Sequence, residues 1–160
     1  MICKMDPSEL FSSVYQAAGR QEVRSAIESI YKELQSEIEA RKPVCNTSGR
    51  CCRFEEFGHR LYVTTAELAA FVYQFEIGGA KPQANWDGKG CPFQVSGLCG
   101  VHPMRPFGCR IFFCDESSTQ WQSDRYEQFH AQIKRLHESL NVPYFYVEWR
   151  EALRALGLGC

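Results

Sequence analysis

The chain has 160 residues, 44% of them hydrophobic and 23% charged, with a formal net charge of −1 and a pI near 6.4. That composition excludes a disordered polymer, and the near-neutral charge argues against general binding to a nucleic-acid backbone, which calls for a basic face. No apolar run approaches the roughly 20 residues that span a bilayer, and MICKMDPSELF has neither an apolar signal core nor a small-residue cleavage site. The expectation is one cytoplasmic domain over residues 1–160, with no membrane partner.

Taken in chain order, residues 7–42 read as an N-terminal helical segment. Val23, Ile27, Ile30, Tyr31, Leu34 and Ile38 recur at three- and four-residue spacing, the mark of one helical face, with Gly19 separating a shorter first helix and Pro43 closing the second. Residues 44–116 form a segment rich in Gly, Cys and Pro. Within it Arg60–Val63 predicts a short strand, and Thr64 with Glu67 predicts a capping box that opens a helix through Leu68, Phe71, Val72 and Phe75. A turn-rich loop over 77–90 precedes CPFQVSGLCGVH, which reads as a hairpin turning near Ser96-Gly97. Residues 117–160 return to helix, carried by Tyr126, Phe129, Ile133, Leu136 and Leu140. After Pro143 the run YFYVEW predicts a short strand or the lead into a last helix with Trp149, Leu153 and Leu156. The fold class expected is α+β and mostly helical: an irregular cysteine-rich centre with short strands, bracketed by N- and C-terminal helices.

The chemistry concentrates in that centre. Of nine cysteines, seven fall between positions 45 and 114, and Cys3 and Cys160 lie almost at the chain ends. In a reducing compartment, clustered thiols more often hold metal than form disulfides, and an odd count points the same way. Cys45, Cys51, Cys52, Cys91, Cys99, Cys109 and Cys114 are therefore the expected metal ligands. Zinc takes four Cys or His ligands, and an iron–sulfur cluster also takes about four. Seven thiols exceed one such site and fall one short of two. His59, His102, a carboxylate, water or a bridging thiolate would close the count. His130 and His137 are weaker ligand candidates on the last long helix. Cys51 and Cys52 are adjacent, so in an extended backbone they serve two sites more easily than one. Arg50, Arg53, Arg105 and Arg110 lie within a few residues of a cysteine, where they would offset thiolate charge or remain solvated; Arg105 is the one favoured to face the sulfurs.

Three ordered blocks, CNTSGRCC (45–52), CPFQVSGLC (91–99) and RPFGCRIFFC (105–114), resemble the YkgJ family of cysteine-cluster proteins. That family's pattern runs CxxCGxCC, then CPF with a nearby cysteine, then RPxxCRxFxC. The resemblance covers less than half of the chain and implies a zinc- or iron-chelating domain. It departs at Ser48, which stands where the pattern has its second cysteine, so eight family cysteines become seven here. The family also includes domains similar to flagellin lysine N-methylases, but no glycine-rich loop after a strand suggests an S-adenosylmethionine site. The functional expectation is a metal-binding protein that chelates zinc or iron through its cysteine cluster. The alternatives are an iron–sulfur redox protein or a component of a protein-modification enzyme, with a metal ion as partner, a protein partner left open and nucleic acid disfavoured.

Overall fold

The computed structural model describes residues 5–159, so Cys3 and Cys160 lie outside the described residues. Helix α1 (Pro7–Ala18) starts where the Asp6 carboxylate accepts the Ser8 N–H, with Pro7 at a position whose missing N–H costs nothing. The chain pauses at Gly19 and resumes as α2 (Gln21–Arg41), which ends at Lys42 in a left-handed conformation just before Pro43. Both predicted helices and the break between them are present.

The central segment contains α3 (Phe54–Phe57), β1 (Tyr62–Thr64), α4 (Thr65–Gly78), β2 (Gln94–Val95), β3 (Leu98–Cys99) and α5 (Phe107–Arg110). β2 and β3 pair antiparallel across Ser96 and Gly97, whose φ values of +51° and +77° suit a two-residue hairpin turn. The chain then continues as α6 (Thr119–Ser139), β4 (Tyr146–Glu148) and α7 (Trp149–Ala155). YFYVEW thus supplies both a strand and a helix start, with the Glu148 carboxylate accepting the N–H groups of Arg150 and Glu151. β4 pairs antiparallel with β1, Val63 opposite Val147, and so ties the C-terminal segment to the middle of the chain.

Helix α4 is the central element. Every residue from Thr65 to Val72 is buried, because both sides of the helix face apolar neighbours. In one core cluster its Leu68, Phe71 and Val72 join Leu10 and Val14 of α1 and Trp149, Ala152 and Leu153 of α7. Cys52, Phe54, Cys91, Phe93 and Val101 of the cysteine-rich segment are buried there too. In the other, Ala66, Ala69 and Ala70 meet Val23, Ile27 and Leu34 of α2 and Phe129 and Ile133 of α6, together with Phe107 and Ile111. The cysteine-rich segment is therefore built into the core. The molecule is mostly helical with short strands, as expected. No helix among the described residues is long and apolar enough to cross a membrane.

Glu67 couples this scaffold to the cysteines. Its side chain accepts the Thr64 N–H at 2.9 Å and the Thr64 hydroxyl at 2.7 Å, completing the expected capping box. It also accepts the Phe107 N–H at 2.9 Å, which fixes the start of the helix that carries Cys109. The residue is 2% exposed, and burial raises its pKa against the pull of those bonds. Glu67→Ala strands the Phe107 and Thr64 donors in the core, and a stability loss of about 3 kcal/mol is expected in chemical denaturation. Glu67→Gln, which keeps a carbonyl acceptor, should lose less.

Candidate metal centre

The first cysteine block is a tight turn rather than an extended strand. Thr47 and Gly49 have φ values of +55° and +70°, and Arg50–Cys52 forms a single 3-10 turn. The Gln94 side chain donates to the Gly49 carbonyl, so the turn lies against the β2–β3 hairpin. The Cys91 N–H donates to the Cys52 carbonyl at 2.8 Å, which brings the second block onto the first. This approach needs Gly90: at φ +61°, a Cβ there would lie 2.5 Å from the Cys52 oxygen. Cys99 ends β3, and Cys109 sits in α5, whose first N–H is held by Glu67.

These constraints bring five thiols into mutual electrostatic influence: Cys52 is coupled to Cys51, Cys91 and Cys99, and Cys109 feels the charge of Cys91, Cys51 and Cys99. The Cys52 thiol, with Arg105 nearby, holds Cys51 down at about 6. Cys99 is lowered to about 7, again chiefly through Cys52, and Cys91 is also lowered. The three neighbouring sulfurs, followed by burial, push the Cys52 thiol up. Burial, followed by those neighbouring charges, also raises Cys109. All seven described cysteines are free thiols. As the side chains stand, no three His, Cys, Asp or Glu groups among the described residues are disposed to hold a metal ion.

Cys45 and Cys114 lie farther out and are exposed, while Cys52 and Cys91 are buried. Their chain segments are clasped together: the Arg41 guanidinium donates to the Ser117 carbonyl at 2.8 Å, and the Val44 N–H to the Asp115 carboxylate at 3.1 Å. Bonds from the Ser117 and Ser118 hydroxyls, with that from Val44, hold Asp115 down at about 2. Ser48 Oγ is 3.8 Å from Cys114 Sγ. Cys45, Ser48, Cys51, Cys52, Cys99, Cys109 and Cys114 all line one cavity of about 320 Å³, walled also by Leu98, Phe112 and Phe113. Beyond Cys51 and Cys109 lies a second cleft of about 280 Å³, bordered by His59, Tyr62, Tyr126 and Tyr146.

The remaining sequence expectations divide clearly. Arg50 and Arg53 both stack on Phe57, Arg53 also pairs with Glu56, and Arg50 also lines the thiol cavity. Arg105 lines the cavity and lowers the pKa of both Cys51 and Cys99. Arg110 instead donates to the Arg105 and Pro103 carbonyls and stacks on Tyr31, so it holds the backbone beneath Arg105. His102 reaches the cavity, but its Nε2 contacts the Arg105 guanidinium. His59 contacts the Cys51 carbonyl. His137 is buried, with Nε2 accepting the Ala66 N–H and Nδ1 facing the Val142 carbonyl; it caps α4 and has no free ring nitrogen. His130 belongs to a ring cluster with Tyr126 and Tyr146.

Trp149 is the residue that sequence reasoning missed. Its ring fills the core between Phe71 and Phe93, and its indole N–H lies close enough to Cys91 to lower that thiol's pKa. Trp149 Nε1 and Arg105 Nε are both buried without a hydrogen-bond partner. The chain matches no family model, no curated protein and no solved structure.

Proposed function

We propose that the protein is a zinc-binding protein whose inner thiols, Cys51, Cys52, Cys91 and Cys99, hold one ion as a structural centre. The observation that carries this reading is the pair of orphaned buried donors, Trp149 Nε1–H at Cys91 and Arg105 Nε beside the thiol group. A buried N–H without an acceptor costs about 1–3 kcal/mol, and a thiolate supplies the missing acceptor. Four thiolates around a divalent ion leave net negative charge, which these donors and the Arg105 cation offset. The donor set fits zinc, which takes four thiolates in closed structural sites. The sulfurs must turn inward to close around it, and the ion then locks together three chain segments that lack long secondary structure.

Arg105 provides a test. Arg105→Gln is expected to lower zinc affinity about 10–100-fold in competition with a chromogenic chelator, with Arg105→Lys in between. Unchanged affinity in both variants would remove Arg105 from the centre.

A second reading, an iron–sulfur cluster, draws on the cavity itself, since about 320 Å³ ringed by six cysteines and two phenylalanines has room and apolar walls for more than one atom. Phe112 and Phe113 line the cavity, whereas Phe107 and Ile111 are buried in the core with α2, α4 and α6. Colourless protein from strictly anaerobic preparation, with zinc and no iron, would dispose of this reading.

A further inference from the structure

We propose that the cleft between α2 and α4 binds a small, elongated organic dianion, of the linear dicarboxylate class, with its two acidic ends on Arg24 and Arg110. No cysteine borders this cleft, and the inference does not rest on the zinc reading.

The cleft encloses about 480 Å³, a metabolite-sized space, and Ile27, Ala70 and Pro103 give it an apolar wall. Arg24, Lys32 and Arg110 border it against the single carboxylate of Glu28, so cations outnumber carboxylates three to one in a chain of net charge −1. The carboxylates within reach are engaged elsewhere. Glu28 pairs with Lys32 at 3.0 Å, and Glu22, which feels Arg24, pairs with Arg20 at 2.8 Å. Glu67 feels Arg110 but accepts from Thr64 and Phe107. Among the described residues, neither Arg24 nor Arg110 forms an ion pair.

Both guanidinium groups are held in place by the protein itself. Arg24 lies 3.9 Å from the ring centre of Tyr73 and donates to the Ala18 carbonyl at the end of α1. Arg110 lies 4.1 Å from the ring centre of Tyr31 and donates to the Arg105 and Pro103 carbonyls. These contacts leave part of each five-donor fork for a ligand, and the planar fork matches a carboxylate. Forks held in advance lower the ordering cost of binding. Arg110 is also half-buried, a partly desolvated charge that an anion would offset.

The spacing selects the shape of the ligand. Arg24 and Tyr31, the ring beneath Arg110, lie seven residues apart on α2, about 10 Å along its axis. The two cations thus mark separate points of the groove, with Ile27 on the same helix face between them. A compact ion meets one of them, whereas a dianion with an apolar middle meets both and covers the wall.

The test is calorimetric titration of the full chain with linear dicarboxylates from succinate to sebacate, beside octanoate and inorganic phosphate. One member of the series is expected to bind about 10-fold or more tightly than octanoate and phosphate, which each satisfy one arginine. Arg24→Gln and Arg110→Gln should each weaken that member by a similar factor, with Arg24→Lys in between. Because both arginines also hold backbone carbonyls, Gln74→Glu is the variant that leaves the packing alone. Gln74 is exposed on the cleft wall, and its added carboxylate should weaken binding while the melting temperature stays unchanged. Absence of saturable binding across the series overturns the proposal, as does unchanged affinity in Arg24→Gln or Gln74→Glu. Octanoate or phosphate binding as tightly as the best dicarboxylate overturns the two-ended site.

Discussion

Stripping the metal with a strong chelator is expected to lower the melting temperature by more than about 10 °C. The segments that hold the inner thiols are a 3-10 turn, a loop and a two-residue strand, none long enough to be stable alone. Yet they deliver Cys52, Phe54, Cys91, Phe93 and Val101 to the same core as Phe71 and Trp149. Structural zinc contributes an apparent ~10–16 kcal/mol, against a typical domain stability of ~5–15 kcal/mol. Its removal should therefore loosen the core along with the loop. Cys52→Ser is expected to reproduce the effect without chelator, because Cys52 is the thiol that the other three share. Coincident melting curves before and after verified metal removal would contradict the proposal.

The second large effect is expected at Gly90. An alanine Cβ there would stand 2.5 Å from the Cys52 carbonyl oxygen, a backbone atom that cannot swing aside. Relief of the clash would separate Cys91 from Cys52 and break the 2.8 Å bond between the Cys91 N–H and that oxygen. The left-handed backbone adds about 1–2 kcal/mol for a residue with a Cβ, and the lost hydrogen bond adds about 1 kcal/mol. Gly90→Ala is thus expected to lose about 3 kcal/mol of stability and to weaken zinc binding at the same time. Gly88→Ala is the control: its φ is +85°, but a Cβ there meets nothing within 4 Å. It should show the conformational cost with no loss of metal. Equal zinc affinity in Gly90→Ala and the wild type would break the link between this contact and the centre.

The long helices were legible in the sequence because their burial is periodic. Val23, Ile27, Ile30 and Leu34 are the buried residues of α2, and Thr64 with Glu67 caps α4 as the pattern required. The short helical turns were not legible, since α3 and α5 have four residues each and show no period. The pairing of β1 with β4 joins strands far apart in the chain, and no local rule identifies that partner.

The site divides along the same line. The cysteine spacing drew attention to seven residues, and six of them line one cavity, with Cys91 coupled to them through Cys52. Their grouping could not be read, because it follows from contacts such as Gly90 against Cys52 and Arg41 against Ser117. Arg50 and Arg53 drew attention by their nearness to Cys51 and Cys52, but both stack on Phe57. The donor beside Cys91 comes instead from Trp149, on the last helix.

The most direct test of the central claim is quantitative metal analysis of the anaerobically prepared protein beside its Cys52→Ser variant. The account predicts at least about one equivalent of zinc in the wild type, with that equivalent lost in the variant. Wild-type protein that is folded and free of metal, or a variant that retains all of its zinc, would contradict it.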